Sequence, residues 1–210
     1  MADKAEACFA IAYRDARKAF IAACEHAHGD SIARVHPTAL SPDGTHLFID
    51  SVAFGSREAA NALLVITGAN GEAGLLGSRV LAALLENEVM PLPGTRLVLV
   101  HALNPFGFAW GRQTNEDGLA LDDPRAGRSW SFAMLRAIAT EDLARTLKLL
   151  VLEVDKGRHA KLTDARGGGA ARVLADFRAG LDLRAARLTL PAADAPILAC
   201  RVVARALATL

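Results

Sequence analysis

The residues best placed to do chemistry begin with a set of glycines. The stretch VITGANGEAGLLGS, residues 65 to 78, runs from an apolar segment through Gly68, Gly71, Gly74 and Gly77 into a helical pattern. A strand, a glycine turn and a helix in that order present free backbone amides at the mouth of a sheet, where an anion can be held. A second polar group, Arg112, Asn115, Glu116, Asp117, Asp122 and Asp123, lies between Asn104 and Arg128. That stretch is rich in Gly, Pro, Asn and Asp, the composition of a long functional or connecting loop. Other reactive side chains are scattered. His26 and His28, two apart at the end of a helical stretch, do not share a face and read as surface groups or partners of the helix dipole. His46 and His159 have no acidic or cysteine company in a motif, and His101, ending a strand beside the cleft, is expected to make a structural hydrogen bond. Cys8, Cys24 and Cys200 form no close pair, which suits neither a disulfide framework nor a zinc knuckle and points to a reducing compartment.

These residues must be positioned by a folded core, and the composition supplies one. The chain has 210 residues, of which 52% are hydrophobic and 22% charged, with a net charge of +1. A chain of this size buries roughly 70% of its unfolded surface, so no metal or disulfide is needed for stability. Charge is balanced at 24 basic and 23 acidic residues, which excludes a dense basic face for nucleic acid. Acidic residues interrupt the N-terminal stretch where a signal peptide needs an apolar core, and no apolar run approaches the roughly 18 residues of a membrane span. A cytoplasmic protein is expected.

Along the chain, Phe9, Tyr13, Ala16, Phe20 and Cys24 recur at helical steps and predict an amphipathic helix over 4–28 that covers a sheet. A loop is expected from Pro37 to Gly44. Three β-rich runs follow, His46 to Phe54, Ala62 to Thr67 and Arg96 to Ala102. Between the second and third, Leu76, Val80 and Leu84 recur every four residues before Pro91, Pro93 and Gly94. The spacing predicts a βαβ unit and hence a parallel sheet covered by helices. Further on, 131–146 reads as helix, Lys148 to Val154 as strand and Gly167 to Gly169 as a flexible break, with strands at Arg172 to Asp176 and Leu188 to Leu190. The simplest division is one α/β domain spanning 1–210.

Two resemblances bear on the glycine turn. Thr67, Gly68, Gly71 and Gly74 spell TGxxGxxG, which resembles the dinucleotide loop of short-chain dehydrogenases. That family also needs a tyrosine four residues before a lysine, downstream of the loop. Here the sole tyrosine, Tyr13, precedes the loop and is followed four positions on by Arg17. The stronger resemblance lies further along. HALNPFGFAWGRQTNEDG, residues 101 to 118, resembles the HALNPYGFAW…R..NEDNVDLNRNF segment of a bacterial branch of the zinc carboxypeptidase and aspartoacylase/succinylglutamate desuccinylase superfamily. Ten consecutive positions differ only by Phe106 for tyrosine. In that branch the preceding strand ends in GTHGVEGFxGS, and Gly68, Gly71, Gly74, Gly77 and Ser78 fall in the same places. The resemblance runs from roughly residue 9 to 122 and implies an α/β fold, a mostly parallel mixed sheet flanked by helices.

It also implies a zinc site, from which this chain departs at each position. Such a hydrolase takes two ligands from His-x-x-Glu and a third from a distant His, leaving a place for water. By alignment the first His is Asn70 and the Glu is Ala73. The third ligand's DxHTGLG segment is best matched by DFRAGLD, residues 176 to 182, which puts Arg178 in place of the histidine. Asn is a poor zinc ligand, Ala is none, and a guanidinium repels the ion. Glu72 is one residue from the expected glutamate. The family's general base is a glutamate near the end of its domain, whereas no glutamate follows Glu153. Where the family holds a carboxylate with the Asn and Arg of DLNRNF, this chain has Asp122 and Asp123. Arg112 matches the upstream arginine resembling the carbonyl-polarising group, and Asn115, Glu116 and Asp117 match the NED triplet.

The resulting expectation is a shortened member of the superfamily, ending at Leu210, whose metal positions Asn70, Ala73 and Arg178 are degenerate. It would be non-catalytic, without cofactor, binding a small molecule through Glu72, Asn115 and Asp122 or packing against a protein subunit, a second copy included, with Arg112 and Glu116 as remnants of the catalytic set. The alternative is a zinc-dependent hydrolase of amide or acyl bonds with a site rebuilt from Glu72, Arg112, Glu116 and Asp122.

Overall fold

Both faces of the central strands are apolar, which dictates a sheet with helices on each side. In a computed structural model describing residues 4–29, 31–69, 71–141, 146–155, 160–177, 181–192 and 194–209, the sheet comprises β1 (Ser31–Leu40), β2 (His46–Phe54), β3 (Asn61–Ile66), β4 (Thr95–His101), β5 (Thr146–Asp155), β6 (Lys161–Asp164) and β7 (Asp182–Pro191). Their spatial order is β1-β2-β4-β3-β5-β7-β6. The four strands β4, β3, β5 and β7 are mutually parallel, while β1, β2 and β6 join the two sides antiparallel. This is the α/β fold with a mixed sheet that the zinc carboxypeptidase resemblance implies.

The helices are α1 (Lys4–His26), α2 (Gly74–Glu86), α3 (Pro105–Trp110), α4 (Trp130–Thr140), α5 (Gly169–Phe177) and α6 (Ala195–Ala208). Successive strand residues point to opposite faces. Leu63, Val65, Leu97, Leu99, Leu150 and Leu152 accordingly pack with Phe20 of α1, Leu84 of α2 and Val203 of α6. Their neighbours Leu64, Ile66, Val98, Val100, Leu149 and Val151 pack on the other face with Phe132 and Leu135 of α4 and Leu174 of α5. Strands buried on both faces lose the apolar/polar alternation and read as continuous apolar runs.

The expected α1, β2, β3, α2, β4 and β5 lie where the sequence placed them, within a few residues. Four expectations are corrected. Pro37 to Leu40, expected as loop, belongs to edge strand β1, where a proline is tolerated because one side of the strand needs no partner. The loop from Asn104 to Arg128 contains α3 and a 3-10 turn at Pro124–Arg128, each opened by an Asn or Asp whose side chain accepts an amide and by a Pro at the first position. Arg172 to Asp176 is helical within α5, its apolar residues facing α4. The helix expected over 131–146 ends at Thr140, and Thr146 already belongs to β5, whereas Leu188 to Leu190 is strand as expected, within the ten-residue β7.

Candidate functional site

The glycine turn and the HALNPF segment are one packed unit. The amide of Leu103 donates to the Thr67 carbonyl at 3.0 Å and that of Asn104 to the Gly68 carbonyl at 2.9 Å. Asn104 caps α3 by accepting from the Gly107 amide at 2.9 Å. Gly68 has φ +67, and a Cβ there would stand 2.7 Å from Ala102 Cα. Gly71 has φ +29, and its Cβ would fall 2.0 Å from the Arg112 carbonyl oxygen. The glycines are thus required by the approach of the chain's own backbone, so the pattern that resembles a dinucleotide loop has a local structural cause. Tyr13 is part of the core: its hydroxyl donates to the Phe48 carbonyl at 3.0 Å and accepts from the Phe48 amide at 2.7 Å.

In open α/β sheets, ligands bind beyond the carboxyl ends of the parallel strands. Here that region holds an apolar cavity of about 20 Å³ lined by Ile66, Leu103, Leu121, Phe132, Val151 and Ala171, with Asp122 and Arg187 also on its wall. Asp122 Oδ2 accepts from Arg187 Nη2 at 2.8 Å, and its Oδ1 accepts from the Gly169 amide at 3.1 Å. Arg172 Nη2 donates to the Asp122 carbonyl at 2.8 Å. Arg187 Nε also lies 3.6 Å from Glu153 Oε1. Partial burial alone would raise the Asp122 carboxyl. The bonds from Arg187 and Gly169, with the charges of Arg187 and Arg172, override it and hold the group below its ordinary value.

The other expected site residues have separate partners. Arg112 is half-exposed, donates to Glu6 Oε1 at 3.1 Å and sits 5.0 Å from the Trp110 ring centroid. Glu116 Oε1 is 3.3 Å from His36 Nε2. His36 Nδ1 accepts from the amides of Thr38 and Ala39 at 3.2 and 2.8 Å, so the ring proton sits on Nε2, facing the carboxylate. Asn115 is buried and closes a turn, its Oδ1 accepting from the amides of Asp117 and Leu119 at 3.1 and 2.9 Å. Asp123 caps the following 3-10 turn. Arg112, Glu116 and Asp122 therefore pair with Glu6, His36 and Arg187 and not with one another.

At the expected metal positions, Ala73 immediately precedes α2 and offers only a methyl group. Asn70, Arg178 and the side chain of Glu72 lie outside the described residues. Among the described residues, no group of three or more His, Cys, Asp or Glu side chains is placed to hold a metal ion. The carboxylate at the cavity faces a guanidinium, and these donors do not fit a zinc ion.

Sequence reasoning missed Arg187 and His36, because neither pairing is local: Arg187 meets Asp122 across 65 positions. It also missed the pair Arg17 and Asp50. Arg17 Nε and Nη2 donate to the two oxygens of Asp50 at 2.7 and 2.8 Å, and His101 Nδ1 lies 3.7 Å from Asp50. Burial pushes the Asp50 carboxyl up while the Arg17 fork pulls it back. His101 is wholly buried and stacked on Phe20 with ring centroids 5.1 Å apart. Neither of its nitrogens has a hydrogen-bond partner, which corrects the structural hydrogen bond expected of it. Burial first, and Arg17 second, push its pKa down to about 3, so it is neutral.

The fold places the protein among metallo-carboxypeptidase and desuccinylase/aspartoacylase folds. A metallo-carboxypeptidase from Pseudomonas aeruginosa, solved with (2-guanidinoethylmercapto)succinic acid, superposes with a TM-score of 0.65 at 15% identity, covering 91% of this chain and 68% of that one. A metallo-carboxypeptidase from Burkholderia cenocepacia gives 0.63 at 12% identity, covering 91% and 67%. A Shewanella frigidimarina protein described as a succinylglutamate desuccinylase/aspartoacylase gives 0.51 at 15% identity, covering 84% and 71%. The chain belongs to the family described as protein of unknown function DUF2817, whose model matches residues 9–123. No curated protein matches the sequence. Among the described residues, no helix is long and apolar enough to cross a membrane.

Proposed function

We propose that this chain is a non-catalytic member of the carboxypeptidase/deacylase-like superfamily that uses the cleft beyond β3 and β5 to bind a small molecule or a partner subunit. One observation carries this reading: Asp122 at the cavity is bound by Arg187, so the local cation is a guanidinium, permanently charged and fixed to β7. A metal ion arriving there would meet that charge and would have to break an existing ion pair. Ala73, a methyl group where relatives place a carboxylate ligand, supports the same reading. In a reaction that adds water to an amide or acyl carbonyl, something must polarise the carbonyl and something must take a proton from water. Arg112 and Glu116 are instead engaged by Glu6 and His36.

The test is elemental analysis of the purified protein together with assays on N-acyl amino acids and short peptides, with and without a chelator. The expected result is neither stoichiometric metal nor turnover. Stoichiometric zinc with turnover that the chelator abolishes would overturn the proposal in favour of a rebuilt hydrolase.

A further inference from the structure

Asp122 reaches its place from the loop before the 3-10 turn, and what it meets there is a receptor built by other elements. Arg187 Nη2 from β7 takes one of its oxygens at 2.8 Å, and the first amide of α5, at Gly169, takes the other at 3.1 Å. Arg172, one turn further along α5, adds a second positive charge. A guanidinium and a helix-terminal amide, each on a separate oxygen, match a planar carboxylate. Next to the carboxylate is the apolar cavity of about 20 Å³, lined by Ile66, Leu121, Phe132 and Val151. It has room for one water-sized group.

Two details show that Asp122 is an imperfect occupant. Asp122, tethered to its own loop, engages only Nη2 of Arg187, and the buried Nε makes no hydrogen bond, with Glu153 Oε1 3.6 Å away. A carboxylate free of the chain can take Nε and Nη2 together as a fork and give Nε the close hydrogen bond that Glu153, at 3.6 Å, does not. The side chain of Asp122 is also 53% exposed, so it can swing into water without leaving a buried charge behind.

The geometry points to a carboxylate-binding site made by Arg187, the Gly169 amide and Arg172, which Asp122 occupies from within the chain and from which a short monocarboxylate such as propionate displaces it. The ligand's carboxylate takes the fork of Arg187 and its terminal methyl, the one water-sized group for which there is room, enters the apolar cavity. This deepens the non-catalytic reading and rests on it, since a resident metal at the same place would compete for the same anions.

Propionate is titrated calorimetrically into the parent, Asp122→Ala and the double variant Asp122→Ala/Arg187→Gln, with chloride and propionamide as controls, and thermal midpoints are followed in parallel. Removing the internal competitor should tighten propionate binding by about tenfold or more over the parent, because the parent's site is open only a fraction of the time. The double variant should lose it. Absence of binding to folded Asp122→Ala, equal affinity in parent and variant, or binding that survives loss of Arg187 would each overturn the proposal. If Asp122→Ala does not fold in chloride, its refolding yield in propionate decides: recovery supports the site, and equal failure in both salts rejects it. Zinc content and peptide turnover of the same samples are read separately. Metal or turnover refutes the non-catalytic reading, whereas missing propionate binding in metal-free, inactive protein refutes only the carboxylate site.

Discussion

His101 and its neighbours show how much a single buried titratable group can decide. The ring is neutral in the folded protein, its pKa pushed to about 3 from an ordinary 6.5. The unfolded chain therefore binds the extra proton first as pH falls, and stability that is fully present above 6.5 is lost progressively toward 3. Between neutral pH and about pH 5 the expected loss is about 2 kcal/mol, measured as the urea unfolding free energy at each pH. His101→Phe, which keeps a ring against Phe20, should flatten that limb; an unchanged slope would show that His101 does not titrate as its burial requires. Arg17 holds the adjoining Asp50, which is wholly buried. Arg17→Met should cost about 3 kcal/mol because it leaves that carboxylate unpaired, whereas the double variant Arg17→Met/Asp50→Leu should recover much of the loss. A double-mutant cycle in urea checks both. Little of this was legible in the sequence. Tyr13, Phe20 and Cys24 announced themselves by helical spacing, but Arg17 on the same helix looked like any solvated arginine, since its partner lies 33 positions away.

At the scale of elements, legibility followed burial. The central strands are apolar on both faces and flanked by glycines and prolines, so β2, β3 and β4 could be placed almost to the residue. The helix α5 could not, because nine residues hold too few turns for helical periodicity to outweigh the strand-like run ARVLA. What positions α5 is contact with the loop that leads to α4. A Cβ on Gly169 would fall 2.0 Å from the Leu121 carbonyl oxygen and 2.9 Å from the Phe132 ring, whereas Gly167, two residues earlier, has open space around it. Gly169→Ala should therefore separate α5 from the 119–123 segment and destabilise the protein by about 2 kcal/mol or more, with Gly167→Ala close to neutral. Thermal unfolding of the two variants side by side makes the comparison. Equal midpoints would mean that the close approach at Gly169 is not what fixes the helix. The reading of Gly167 to Gly169 as a simple flexible break fails for its last member, which opens α5 against Leu121 and Phe132.

For the whole molecule, the question is what joins the layers where the sheet ends. Arg187 lies on β7, Glu153 on β5, Asp122 on the loop leading to α4 and Gly169 at the start of α5, so one guanidinium and one carboxylate link four separate segments at the cleft. The sequence marked Asp122 as important through the motif it replaces, yet gave no sign of Arg187, which sits in a strand where a charge is normally turned to water. Removing the guanidinium by Arg187→Met leaves Asp122 and Glu153 without that charge between them. Asp122 titrates below its ordinary 3.8 in the folded state, so the stabilisation it brings is present above that value and is lost as pH falls through the lower folded value. The cost of Arg187→Met should follow the same course. It should be about 1 kcal/mol at neutral pH, kept small by the solvent reaching both side chains, and should shrink below about pH 4 as the Asp122 carboxylate protonates. Hydrogen exchange at neutral pH gives the spatial half of the argument. Amides of 119–123 and 168–172 should exchange faster in the variant while those of β3 and β4, paired deep in the sheet, keep their protection. Uniform loss of protection across the sheet would instead make Arg187 part of the global core, and unchanged exchange at 168–172 would mean that Asp122 holds α5 without it.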